Sequence, residues 1–395
     1  MKNPTQYRIE SIDLLRGVVM VIMALDHVRD YFNFGSFFRD PTDLAHTTPF
    51  LFFTRWITHF CAPVFVFLAG TSAFLYGTRG RSTKHVSRFL LTRGLWLIVL
   101  ELTIVSFAWS FDPRFSLIVL QVIWAIGISM IILSVLVYLP LWLIILTGVL
   151  MVAGHNLLDF ISLAGTTPGA VLWYILHQRA LLSLGPRLAI DIVYPALPWI
   201  GLMALGYAFG QLYQKGFDTR KRRRWLLRLG IGSITLFILL RFFNIYGDPN
   251  PRQSQSTFTY SLLSFLKTTK YPPSLLFLLM TMGPSLLFLC MVEGLKNWVT
   301  QVFVIIGRVP LFYYIIHIYL IHLFAVIGLI FTGQPWTDMI LTAESYTSGY
   351  LLNYGYNLAV VYPVWIVTLI LLYPLCKWYN KYKTSHRSKW WLSYL

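Results

Sequence analysis

At 395 residues the chain could form one large or two ordinary soluble domains. Its composition excludes both, since 57% of residues are hydrophobic and 12% charged, against about 25% charged in a globular protein. A mean hydropathy of +0.64 marks an all-α polytopic membrane protein. Its 32 basic and 15 acidic residues leave a net charge of +17, but the cations gather in short loops and the C-terminal tail, as in cytoplasmic loops of membrane proteins. No nucleic-acid-binding signature accompanies them, so no nucleic-acid partner is expected.

A span needs about 20 apolar residues, which predicts ten helices over 12–33, 54–77, 88–110, 115–137, 139–155, 189–213, 225–246, 272–294, 301–331 and 355–379. The polar start leads directly into a segment carrying Asp and Arg, unlike a cleavable signal peptide. With the N-terminus inside, the loop bearing Arg79, Arg81 and Lys84, the run Lys215 to Arg224, and the tail with Lys377, Lys381, Lys383, Arg387 and Lys389 all fall in the cytoplasm. The loops with Asp40 and Asp43 and with Asp338 and Glu344 fall outside, so ten helices with both termini cytoplasmic satisfy the loop-charge rule. Residues 156–188 read as an interfacial or re-entrant helix, and 247–271 as a polar loop ending in lysines. No repeat or linker divides the chain, which predicts one domain over 1–395. GTRGRSTK at 77–84 lacks the ending of a phosphate-binding P-loop.

The first helix carries the chemistry. Asp13, Arg16, Asp26, His27, Arg29 and Asp30 lie within one span, where each ionisable group costs about 2.5–3.5 kcal/mol unless it faces a cavity or a partner. Arg16 and His27 are three turns apart, on one face, with a rise of roughly 16 Å. That suits the two ends of one elongated ligand. Asp13, three residues before Arg16, is placed to orient its guanidinium. His46 in the next loop and His59 at the start of helix two fall at a depth similar to His27, a convergence suited to a general base. Snorkelling of the charges to the two interfaces is the plain alternative. In helix nine, Arg308, Pro310, Tyr313, Tyr314, His317 and His322 fit a broken, cavity-lining segment or a kinked packing helix. Cys61, Cys290 and Cys376 stand singly, which argues against disulfides and a zinc site; the histidines lack a ligand pattern, so no metal is expected.

The opening R-I-x-S-I-D-x-L-R-G, with A-x-x-F-V-F-x-x-G at Ala62, Phe65, Val66, Phe67 and Gly70, resembles the catalytic domain of heparan-α-glucosaminide N-acetyltransferase, its bacterial relatives in particular. GRVPLFYYIIH is a second block, and Arg16-x10-His27 is similar to the signature of bacterial transmembrane O-acyltransferases. The resemblance implies acyl transfer across a membrane, from cytoplasmic acetyl-CoA to a sugar amine or hydroxyl outside. It matches His46 to the animal enzyme's loop histidine and His59 to its aspartate before the helix-two proline; His27 stands where that enzyme has Asn. The animal enzyme's large lumenal domain has no counterpart, which leaves the heparan substrate unsupported.

The expected function is therefore an acetyl-CoA-dependent membrane acyltransferase of the bacterial plasma membrane. Arg16, Asp13 and Arg308 hold the nucleotide end; His27 or His46 acts as base; His59 or Asp30 orients it. Partners are acetyl-CoA, a sugar or glycoconjugate acceptor and membrane lipid, with a homodimer allowed. A transporter or flippase for an anionic or lipid-linked solute is the alternative, since it too would use intramembrane Arg and His.

Overall fold

The computed structural model describes residues 9–36, 39–185, 187–348, 351, 354–386, 388–389 and 392; Arg8 of the opening motif and Arg387 of the tail lie outside these. Helix α1 (Glu10–Phe32) carries Glu10 and Asp13 in its first turn and Arg29 in its last, matching the helix dipole. Thr48 caps α2 (Pro49–Trp56), its hydroxyl accepting the Leu51 N–H. A 3₁₀ turn at 57–60 then leads into α3 (Cys61–Gly77). Ser82 caps α4 (Thr83–Leu100), which passes through a π turn at 101–105 into α5 (Ser106–Ser110). Next come β1 (Leu117–Leu120), α6 (Val122–Leu136), α7 (Leu141–Gly154), α8 (Pro168–Leu176), β2 (Ala180–Ser183), β3 (Ala189–Ile192) and α9 (Leu197–Phe209). The remainder is helical: α10 (Thr219–Phe243), α11 (Phe258–Leu266), α12 (Leu275–Val292), α13 (Trp298–Gly307), α14 (Pro310–Phe331), α15 (Ala343–Ser348) and α16 (Leu358–Ser385).

Among the described residues, seven helical stretches are long and apolar enough to cross a membrane: 49–77, 83–110, 141–158, α10, α12, α14 and α16. The chain is a multi-pass membrane protein. Of the other expected spans, α1 is long but highly charged, and α6 and α9 are shorter than about 20 residues. Burial separates centre from rim. In α12, 67% of the apolar stretch is buried, against 17% in α16 and 22% in 141–158 and in α10, whose remaining apolar faces suit lipid.

The all-helical expectation misses a three-stranded sheet of order β1-β3-β2, in which β3 pairs parallel with β1 and antiparallel with β2. The predicted helices 115–137 and 189–213 each begin with one of its strands. A strand of four residues is too short to show a periodicity that separates it from a helix segment. Residues 156–188 likewise hold the short α8 and then β2, and the predicted helix 301–331 is two helices parted at Arg308–Val309, where Pro310 opens the second.

Facing glycines set the closest helix crossings. Gly17 meets Gly307 (α1 with α13), Gly70 meets Gly206 (α3 with α9), Gly94 meets Gly127 (α4 with α6), Gly148 meets Gly201 (α7 with α9) and Gly230 meets Gly283 (α10 with α12). Without a hydrophobic drive between helices in lipid, close backbone approach at small residues supplies the packing.

Arg241 on α10 is 2% exposed. Its guanidinium donates to the carbonyls of Asn250 at 2.7 Å, Ser264 at 2.8 Å and Phe265 at 3.1 Å, and to that of Lys267. It thereby holds the 250–267 segment. Arg241→Ala is expected to cost about 3 kcal/mol or more, because several buried carbonyls lose their donor at once. Thermal unfolding and amide exchange across 250–267 check this; an unchanged melting temperature with unchanged protection refutes it.

Candidate functional site

Helix α1 joins two cavities. It packs against α3, α13, α14 and α16. The cavity at the basic-loop end has a volume of about 360 Å³. Arg16, Arg79, Arg93, Arg308 and Lys383 line it with Tyr76, Phe89 and Tyr314, and no acid is among its lining residues. Arg16 donates to Asp13 at 3.1 Å, to the Gly307 carbonyl at 3.2 Å and to Ser72 Oγ at 3.2 Å. Arg308 Nε stands 3.5 Å from Asp13, so one carboxylate faces both arginines across the glycine crossing. Of the basic loop, Arg79 lines the cavity; Arg81, Lys84 and Arg88 are not among its lining residues.

The second cavity, at the opposite end, has a volume of about 590 Å³. His27, His59, Asp26 and Asp30 all lie on its wall. Asp26 accepts from Arg55 at 2.7 Å and from Thr58 at 2.8 Å and pairs with Arg29 at 2.8 Å. Asp30 bonds Arg29, so it orients an arginine, and the expected Asp30–histidine contact is not formed. The sheet completes the wall: Leu117 and Val119 of β1 line it, and Asp191 of β3 holds the lining Arg179 at 3.0 Å. Lys270 also lines it; it is 8% exposed, and its ammonium makes no ion pair or hydrogen bond with the described residues. The rings of Tyr271 and Tyr194 stand 5.2 and 6.0 Å from it.

The expected three-histidine cluster does not form. His46 is exposed on its loop, where Nδ1 lies 2.7 Å from Asp43, and it is not among the residues lining the cavity. The hydrogen bond from His46 holds the Asp43 carboxyl below its usual range. The loop closes its own turn, with the His46 and Thr47 N–H groups donating to the Asp43 carbonyl. His59 lines the cavity against Phe277, with its Nδ1 buried and without a hydrogen-bond partner among the described residues. The histidine that does meet His27 is His317 of α14, with Nδ1 of His27 2.7 Å from Nε2 of His317.

This pair assigns its own tautomers. His317 Nδ1 lies 3.0 Å from the Tyr313 carbonyl, which only accepts, so Nδ1 carries the proton and Nε2 is an acceptor. His27 Nδ1–H then donates to it. The lone pair of His27 falls on Nε2, the arrangement a general base requires. Around His27 stand Trp109, edge-on at 4.8 Å between ring centroids, and Tyr314 at 6.2 Å. The Trp109 Nε1 is directed at the Tyr314 hydroxyl, and both are buried with no other hydrogen-bond partner among the described residues. Tyr314 also lines the first cavity, so the two cavities approach each other at Tyr314 and His27.

Sequence reading named His317 as cavity-lining or structural but did not pair it with His27. It missed Trp109, Lys270 and Arg93. Arg93, a lone cation in the apolar run LLTRGLW, carried a visible signal; Trp109 and Lys270 reach the site only through folding.

The family model of the heparan-alpha-glucosaminide N-acetyltransferase catalytic domain matches residues 8–242, more than half of the chain, and the chain belongs to that family of membrane acetyltransferases. None of the curated proteins matches it. The match ends at α10, yet α13 and α14, which carry Arg308 and His317, lie beyond it and pack on α1.

Proposed function

We propose that this family member transfers an acetyl group from cytoplasmic acetyl-CoA to an amine or hydroxyl of a sugar or glycoconjugate on the outer side of a bacterial plasma membrane. The observation that carries the reading is the approach of two unlike cavities at Tyr314 and His27, one cationic and one containing the histidine base. The basic loops then lie in the cytoplasm, with ten crossings and both termini inside.

Arg16, Arg79, Arg93, Arg308 and Lys383 suit the phosphates of the nucleotide, since guanidinium forks onto phosphate and stays charged. The rise of roughly 16 Å from Arg16 to His27 is comparable to the length of an extended acetyl-CoA, on the order of 15–20 Å, so the thioester reaches the seam. His27 Nε2 takes the proton of the attacking amine or hydroxyl, and that proton leaves on the sulfur of the departing thiol. His317 accepts from Nδ1 throughout, which stabilises the imidazolium between the two transfers. The Tyr314 O–H, supported by the Trp109 N–H, is a donor for the negative charge that develops on the thioester oxygen. The outer cavity is lined by six cations and three acids, which favours an acceptor with an anionic group near Lys270.

The deciding experiment is acetyl-CoA binding to the purified protein in nanodiscs. Saturable binding is expected, weakened about 10–100-fold by Arg16→Ala through loss of a charge-assisted contact and unaffected by His27→Ala. No binding to well-folded protein would overturn the reading and return the chain to the transport alternative.

A further inference from the structure

We propose that His155, Asp159 and His177 form a divalent-metal site that takes Zn²⁺, away from the acyl-transfer centre. His155 stands in the 3₁₀ turn after α7, Asp159 follows one turn later, and His177 ends α8. One ligand atom from each lies within 4.8 Å of the others. Two imidazoles and a carboxylate are a zinc donor set, with a fourth position left for water.

His155 points to a ligand most directly. It is 2% exposed; one ring nitrogen is directed at the Pro273 carbonyl, and the other has no hydrogen-bond partner among the described residues. A neutral imidazole has one donor and one acceptor to satisfy; with the N–H toward a backbone carbonyl, the buried lone pair is left for a ligand. The other two ligands are held in place. Asn156 Nδ2 donates to Asp159 Oδ2 at 2.8 Å, while Asn156 Oδ1 accepts the Leu275 N–H at 2.9 Å. That leaves Asp159 Oδ1 turned toward His177 Nε2, 3.6 Å away. Trp173 stacks on His177 with ring centroids 5.0 Å apart and planes within 6°, fixing the ring plane. Support of this kind around a ligand set is what orients metal-binding side chains.

Zinc bonds N and O at about 2.0–2.2 Å, which places tetrahedral ligand atoms about 3.3 Å apart. The Asp159–His177 pair is near that spacing, and His155 must draw inward. Without metal, His177 Nε2–H donates to the His155 carbonyl at 2.7 Å. On binding, His177 shifts to its Nδ1–H tautomer, so that Nε2 gives up the His155 carbonyl and offers its lone pair to the metal. The filled site ties the end of α7 to the end of α8, two residues before Arg179 on the cavity wall, and through Asn156 to the start of α12.

The test is metal content of tag-free, full-length protein in nanodiscs, stripped with chelator and then equilibrated with Zn²⁺ or with Co²⁺. About one zinc per chain is expected, and the cobalt form should show the visible absorption of a low-symmetry N/O site. Each of His155→Ala and His177→Ala should lose the metal and the rise in melting temperature that Zn²⁺ confers on the wild type. If His155→Ala fails to fold, the wild-type cobalt spectrum and the His177→Ala stoichiometry decide. Wild-type protein that retains no zinc, or folded His177→Ala that retains as much as wild type, overturns the proposal.

Discussion

His27→Ala is expected to lower acetyl transfer by about 10²–10⁴-fold, the usual contribution of a positioned general base, while acetyl-CoA binding stays intact. The separation follows from position: His27 lies on the outer cavity and the cationic lining is on the other. His317→Ala should reduce the rate less, because it removes the acceptor that keeps the His27 proton on Nδ1 and leaves the base itself in place. His46→Ala should leave the rate near that of wild type, since His46 is bonded to Asp43 away from the cavity. Single-turnover transfer to a panel of amino sugars and glycolipids checks all three. Full activity in His27→Ala, or abolition by His46→Ala with His27 intact, would remove His27 as the base.

Gly307→Ala is expected to destabilise the protein by about 1–3 kcal/mol or more, as overpacking does where neighbours cannot yield. A Cβ there would stand 1.9 Å from the Asp13 carbonyl oxygen and 2.8 Å from the Gly17 N. A Cβ on Gly17 would stand 1.9 Å from the Phe303 carbonyl oxygen. These obstacles are backbone atoms, which cannot rotate away, so α1 and α13 must part. Arg16 bonds the Gly307 carbonyl and Arg308 faces Asp13 across the same crossing, so separation also displaces both arginines and should weaken acetyl-CoA binding. Gly232→Ala is the control. A Cβ there meets nothing within 4 Å, and replacing glycine inside a helix stabilises by roughly 0.5–1 kcal/mol. Thermal unfolding in nanodiscs distinguishes the two; Gly307→Ala melting at or above the wild-type temperature would refute the argument.

Which parts of the molecule were legible in the sequence follows from the range over which each signal acts. Long apolar runs report spans because hydrocarbon demands internally bonded backbone over its whole thickness. The charges of α1 stood out against that background, and eleven residues at helical pitch gave the separation of Arg16 from His27 before any fold was known. The family motif lies in the same stretch. The small sheet was hidden because four-residue strands are too short to show a helical or alternating period.

The sequence by itself determined that this is a helical membrane protein, that α1 is its chemical helix, and which family it resembles. Tertiary structure alone decided the rest of the site. His27 and His317 are 290 residues apart in the chain, and their contact at 2.7 Å exists because α14 packs on α1. His46, nearer in sequence, is turned away by its bond to Asp43. Lys270 and Arg179 become cavity residues through a loop and a sheet with no local signature. Proximity along a helix is set by its pitch and can be counted; proximity between helices depends on where backbones can approach, and facing glycines from distant segments set that here.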